Sequence, residues 1–255
     1  MKNPKTLIVT SPSVYNASLC QALQKNGLRS LPAPVIETLL FDNPAFDPAF
    51  LKIKDYKYII LPSKTAINSF LFQLEKRKIH PEIIPARFIA IGKDYEYLKE
   101  KGFTKILKPS EPSTKGIVEL ISKIGKDQKI LLTIPRVEII KEPGIVPRMI
   151  RDLNRITKLD ILEAYITRPV QSLPVKIKNK ILQGQYDLIA LASGGEAMAL
   201  KYLFPQDYKN FKIACFGPYT MKTAVNEGFK PLLTGKKFSS FSDFSSEISS
   251  FLQHR

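Results

Sequence analysis

The chain of 255 residues repeats itself, and that repeat is its strongest constraint, because it limits the fold to two copies of one unit. Tyr56 to Ala66 reads YKYIILPSKTA and Tyr186 to Glu196 reads YDLIALASGGE, with Ser63 falling on Ser193 at a spacing of 130. Ile89-Ala90-Ile91-Gly92, running on to Gly102-Phe103, is echoed by Ala214-Cys215-Phe216-Gly217, running on to Gly228-Phe229. The glycines are ten apart in the first copy and eleven in the second. A third echo sets Leu7-Ile8-Val9-Thr10-Ser11-Pro12 on Ile130-Leu131-Leu132-Thr133-Ile134-Pro135. In each of the first two echoes an apolar run breaks at small residues and a helical pattern follows, which marks a strand handing over to a helix. Helix N-termini carry unpaired N–H groups and attract anions. Two such turns in each copy predict a rim that binds carboxylates.

Alternation of apolar runs and helical patterns predicts strands near 58–61, 88–91, 104–107 and 130–133, with helices near 65–76, 94–101, 114–124 and 146–154. That is the pattern of a parallel sheet covered by helices on both faces. Leu7 to Thr10 reads as a buried strand, Asn16 to Lys25 and Ile177 to Gln183 as helices, and Asn26-Gly27 as a helix stop. Leu31 to Thr38, with two prolines, reads as an extended crossing, and Leu162 to Pro169 as its return. The expected fold is therefore α/β: two similar three-layer domains with parallel sheets, joined by a two-stranded linker, the first domain discontinuous. The expected boundaries are 1–35 with 168–255 for the first domain and 37–164 for the second, with linkers near 32–38 and 162–169. A cleft between two such domains is an expected ligand site. In the tail, Phe241, Phe244, Ile248, Phe251 and Leu252 share one helical face, with Ser242-Asp243 as its expected cap.

Composition excludes more than it assigns. No apolar run approaches the ~20 residues of a membrane span, and the opening MKNPKTLIVTSP enters a strand without a signal-like apolar core. A cytoplasmic protein is the expectation. Cys20 and Cys215 lie in apolar patterns and read as buried reduced thiols, while His80 and His254 have no metal-ligand company. No phosphate-binding glycine motif is present, so no nucleotide cofactor is expected. The net charge of +16, from 39 Lys and Arg against 23 Asp and Glu, favours anionic partners without naming one. The basic residues are spread along the chain and the aromatics follow apolar periods, which argues against a nucleic-acid groove.

Seven segments in order resemble the uroporphyrinogen-III synthase family: VIET at 35–38, YIILPSKTAINSF at 58–70, IAIGKDYEYLKEKGF at 89–103, ILLTIPR at 130–136, EAYIT at 163–167, IALASGGEAM at 189–198 and FGPYTMKTAVNEGF at 216–229. The resemblance implies two α/β domains linked by two strands and a cofactor-free lyase. Such an enzyme closes hydroxymethylbilane to uroporphyrinogen III while inverting the last pyrrole ring. Its partner is the small-molecule tetrapyrrole; the composition leads us to expect no nucleic-acid or membrane partner, and nothing in the sequence compels more than a monomer. It further implies that Ser63, Lys64 and Thr65, with Ser193, Gly194 and Gly195, bind substrate carboxylates, unless they only cap helices. Gly92, Arg136, Pro218, Tyr219 and Thr220 join that set, with an ordinary ion pair as the alternative for Arg136 and a mere helix cap as the alternative for Thr220. Tyr165 falls on the family's tyrosine in the returning linker and is the expected catalytic donor to the departing hydroxyl, or else a packing residue. The chain departs from the family's pattern at Ser11, Pro62, Ala192, Val137 and Tyr95. These departures keep open a non-catalytic anion-binding protein, and the charge keeps open a nucleic-acid module.

Overall fold

The computed structural model describes residues 4–142, 144–237 and 240–254. Met1 to Asn3 of the opening segment and Ser239 of the serine-rich tail lie outside them. The strands are β1 (Thr6–Val9), β2 (Arg29–Pro32), β3 (Ile36–Leu40), β4 (Tyr58–Ile60), β5 (Arg87–Ile89), β6 (Ile106–Leu107), β7 (Lys129–Val137), β8 (Lys158–Pro169), β9 (Leu188–Leu191), β10 (Ile213–Cys215) and β11 (Leu233–Thr234). The helices are α1 (Ser13–Lys25), α2 (Asp47–Leu51), α3 (Lys64–Lys76), α4 (Asp94–Glu100), α5 (Thr114–Ile124), α6 (Ile145–Asn154), α7 (Val175–Leu182), α8 (Gly194–Leu203), α9 (Pro218–Asn226) and α10 (Phe241–Gln253). Two compact units result: one holds the described residues within 1–37, 138–143 and 168–255, the other those within 38–137 and 144–167. Ile140 packs on the core of the first unit, which accounts for the short 138–143 segment being counted there.

The first unit's sheet has the order β11-β10-β9-β1-β2, parallel throughout. Its strands alternate between two cores. Ile8, Ile189 and Ile213 face one core with Leu200 of α8, Ala224 of α9 and Ile181 of α7. Leu7, Leu188 and Ala214 face the other with Leu19 of α1 and Phe244 and Ile248 of α10. A sheet covered on both faces needs apolar residues at every position, which is why its strands read as unbroken apolar runs.

The second unit's sheet has the order β3-β8-β7-β4-β5-β6, with β8 through β6 parallel. Ile59, Phe88 and Leu131 pack on α3 through Ile67, Phe70 and Leu74. Ile60, Ile130 and Leu132 pack on α5 and α6 through Ile117, Ile121, Met149 and Leu153. Leaving β3 aside, β8-β7-β4-β5-β6 repeats β2-β1-β9-β10-β11 strand for strand, so the sequence echo is also an echo of topology.

Three expectations change. Leu31 and Pro32 are not linker: they close β2, an edge strand registered Ile8 to Leu31 and Val9 to Pro32. An edge strand tolerates proline at its end because the missing donor faces no neighbour. The last helix is capped by Ser240, whose Oγ accepts from Ser242 N at 3.1 Å, rather than by Ser242-Asp243. Helix α1 begins at Ser13 instead of Asn16, and buried Asn16 ties it to the sheet by donating from Nδ2 to Val9 O and Ser11 O.

Candidate functional site

In each sheet the chain leaves two adjacent strands in opposite directions. From β1 it passes through α1 to β2, and from β9 through α8 to β10; α1 and α8 cover opposite faces. The second unit does the same at β7 and β4, through α6 and α3. The crevice beyond the carboxyl ends of such a strand pair is where open α/β sheets bind ligands. Ser193 and Ser63 both sit there.

In the first unit, Ser193 caps α8, its Oγ accepting from Glu196 N at 3.3 Å. Gly194 and Gly195 occupy the first two helical positions, and among the described residues their N–H groups donate to no acceptor. Space also restricts them. A Cβ on Gly194 would stand 2.6 Å from Thr223 Oγ1 of α9, and one on Gly195 would stand 3.2 Å from Ile36 Cδ1. Gly194 therefore lets α8 and α9 approach, besides exposing a donor. Pro218 opens α9 and is exposed, Tyr219 beside it is 61% exposed, and buried Thr220 donates to Ala192 O at 3.3 Å, holding the Ser193 turn from the side.

In the second unit, Ser63 caps α3 by accepting from Ala66 N at 3.1 Å, and its Oγ lies 3.4 Å from Tyr165 Oη. Tyr165 reaches this position through a β-bulge. The β7–β8 register passes from Ile134 opposite Glu163 to Pro135 opposite Tyr165, skipping Ala164. Strict alternation would have put Tyr165 on the exposed side with Ile161 and Glu163; the extra residue turns it inward, to 6% exposure. Burial pushes its phenol up to about 12, so it is a neutral hydroxyl at pH 7.

Lys64 and Thr65 form the first positions of α3. The Lys64 ammonium lies 4.4 Å from the centre of the Tyr97 ring, a cation–π contact, and Tyr97 Oη donates to Asn68 Oδ1 at 2.6 Å. Gly92 has φ of +56°, a left-handed backbone that favours glycine, and a Cβ there would meet only Pro112, at 3.7 Å. The one-residue difference from the other copy is absorbed here, since α9 starts directly after Gly217 but α4 starts two residues after Gly92. Arg136 is engaged on two sides, with Nε 3.6 Å from Glu163 Oε2 and the guanidinium 4.8 Å from the Phe41 ring centre.

Two carboxylates at these turns escaped the sequence reading. Glu196 is 1% exposed and receives Thr10 Oγ1 at 2.7 Å, Ala192 N at 2.8 Å and Ser193 Oγ at 3.1 Å. Burial raises it to about 7, against these hydrogen bonds. Asp94 is raised to about 6 by burial, opposed by the backbone N–H and the ammonium of Lys64. Ser193 and Glu196 stand at capping-box spacing, the signal that reveals the first; Asp94 had only its place in a first helical turn. Among the described residues no group of His, Cys, Asp and Glu is arranged to hold a metal, and no helix is long and apolar enough to cross a membrane.

A family model described as uroporphyrinogen-III synthase HemD matches residues 17–242. No curated protein matches by sequence. Among solved structures, a mutant uroporphyrinogen III synthase of the extremely thermophilic bacterium Thermus thermophilus is similar at TM-score 0.62 and 16% identity, with 98% of this chain and 100% of that one covered. Uroporphyrinogen-III synthetase of Helicobacter pylori 26695 is similar at TM-score 0.59 and 14% identity, with 97% and 99% covered. At these identities the structural likeness speaks for the fold.

Proposed function

The chain belongs to the uroporphyrinogen-III synthase family, and from that membership we propose that it is a cytoplasmic, monomeric hydro-lyase that closes hydroxymethylbilane to uroporphyrinogen III. The substrate is an open chain of four pyrroles with eight carboxylates. Loss of its terminal hydroxyl as water leaves an electrophilic azafulvene. The far ring attacks at its substituted carbon to give a spiro intermediate, which fragments and recloses with that ring inverted. Spontaneous closure takes the unsubstituted carbon and gives isomer I. The protein's task is chiefly to hold both ends of the substrate in one geometry.

The observation that carries this reading is the duplicated turn. In each unit a serine-capped helix opens at the strand crossover, and Gly194, Gly195 and Thr65 have backbone N–H groups that claim no acceptor among the described residues. Hydrogen bonds from such groups to a charged acceptor contribute about 1.5–3 kcal/mol each. We assign Ser63, Lys64, Thr65, Gly92 and Arg136 of one unit, and Ser193, Gly194, Gly195, Pro218, Tyr219 and Thr220 of the other, to binding the substrate's carboxylates. Arg136 and Lys64 keep part of their charge engaged by Glu163 and Tyr97, so the backbone donors carry most of the specificity.

Tyr165 is the residue we assign to the departing hydroxyl. A phenol held protonated by burial donates rather than accepts, and the neighbouring Ser63 Oγ offers it an acceptor until substrate arrives. Replacing Tyr165 by Phe should slow formation of isomer III at least tenfold while binding of the product changes by less than threefold. Equal rates for Tyr165→Phe and the parent would remove this role. The test of the whole proposal is the isomer formed from fresh hydroxymethylbilane: isomer III supports it, and isomer I at the spontaneous rate refutes it.

A further inference from the structure

The assignment of Ser193 as a donor to substrate meets an obstacle inside the protein. Its hydroxyl has one proton, and that proton is directed to Glu196 Oε1 at 3.1 Å. The other carboxylate oxygen takes Thr10 Oγ1 and Ala192 N, at 2.7 and 2.8 Å. An ionised Glu196 thus consumes the donor that a bound carboxylate would need, and places a second negative charge at the same turn. A protonated Glu196 reverses both effects. With its proton on Oε1 it can donate to Ser193 Oγ, whose own proton then swings outward to join the N–H groups of Gly194 and Gly195, while Oε2 still accepts from Ala192 N and the single Thr10 proton has either Oε2 at 2.7 Å or Ala190 O at 2.9 Å as its acceptor.

We propose that Glu196 is a positioning residue that controls which way the Ser193 hydroxyl donates, so that a ligand carboxylate binds this turn with uptake of one proton by Glu196. The proposal rests on the synthase reading only for the identity of the ligand. The geometry supplies the two arrangements, and the surroundings make both accessible. No lysine or arginine is among the groups acting on Glu196, and its burial displaces it upward to about 7. From β10 the titratable group facing it is Cys215, itself pushed up to about 12 by burial and by Glu196, so it stays a neutral thiol. From β1 the facing group is Thr10, which does not titrate. The other copy of the turn lacks the device. Ala66 stands where Glu196 would be, Pro62 replaces the N–H of Ala192, and the hydroxyl of Thr133, the counterpart of Thr10, is buried with no partner.

The test measures binding of uroporphyrin III, a stable octacarboxylate, at pH 6 and pH 8. Binding that requires the protonated carboxyl weakens by the fraction in that form, so the parent's Kd should rise about tenfold from pH 6 to pH 8. Glu196→Gln, which presents an amide NH2 to Ser193 Oγ at every pH, should bind at pH 8 as the parent does at pH 6. Ser193→Ala, which keeps the Glu196 charge but removes the donor it controls, should bind more weakly than the parent at pH 6 and show a clearly smaller rise in Kd from pH 6 to pH 8. It also serves if Glu196→Gln does not fold. A parent Kd that is flat with pH, the parent's full pH dependence retained in both variants, or no porphyrin binding at pH 6 would each overturn the proposal. Formation of isomer I alone, with the pH-linked binding intact, would refute the synthase reading and leave the control of Ser193 standing.

Discussion

Thr10 and Thr133 occupy equivalent places in the two units, and the duplication makes them a controlled comparison. Both are fully buried, but the Thr10 hydroxyl has Glu196 Oε2 at 2.7 Å and Ala190 O at 2.9 Å as partners, whereas Thr133 Oγ1 has no partner among the described residues. A buried polar group without a partner costs about 1–3 kcal/mol, while removing one that is already orphaned costs little. Thr133→Val should therefore be neutral or stabilising by up to about 1 kcal/mol, and Thr10→Val should destabilise by about 1–3 kcal/mol. Urea midpoints at constant slope measure both. The pH dependence of stability belongs to this scale too. Glu196 has a folded value of about 7 against an ordinary 4.5, so between those values the folded chain binds more protons than the unfolded one. Stability must then fall as pH rises from 4.5 to about 7, and level off above. Asp94 adds the same sign between 3.8 and about 6. In Glu196→Gln the decline between pH 6 and 7 should largely vanish in thermal scans; an unchanged slope there would mean that Glu196 titrates normally.

Among the elements, the strand-to-helix turns were legible in the sequence because small residues interrupt apolar runs at a spacing no core strand needs. Ser63 and Ser193 accordingly appear as helix caps in the structure, at 3.1 and 3.3 Å. Elements set by tertiary pairing were not legible. Strand β2 has two of its four residues, Arg29 and Pro32, exposed, and exists because β1 offers it an edge. The bulge that turns Tyr165 inward depends on the register of β7 against β8, which local pattern does not encode. Glu196 sits at capping-box spacing, yet its burial follows only from β1 placing Thr10 beside it. Helix packing gives a further prediction. Gly194→Ala must displace Thr223 from 2.6 Å, across the α8–α9 contact, and overpacking of that kind costs about 1–3 kcal/mol. Gly195→Ala, with a mobile Ile36 methyl at 3.2 Å, should cost less. Parallel urea titrations order the two, and a larger loss at Gly195 would contradict this account of the packing.

At the level of the whole molecule, two units of matching strand order each carry one serine-capped turn at the crossover of their sheet. The excess of positive charge raises the encounter rate with a polyanion but does not select it; in the proposed reading, selection falls to the fixed donors at the turns. The two turns nevertheless differ. One turn keeps Glu196 against Thr10, and the other has Ala66 and Pro62 with a tyrosine at its serine. That asymmetry suits a substrate whose two ends must be treated differently, one losing a hydroxyl and the other attacking. The most direct measurement is the isomer ratio when the purified protein meets freshly generated hydroxymethylbilane. Uroporphyrinogen III is the predicted main product, and a product mixture indistinguishable from the protein-free control, essentially all isomer I, would contradict the synthase reading.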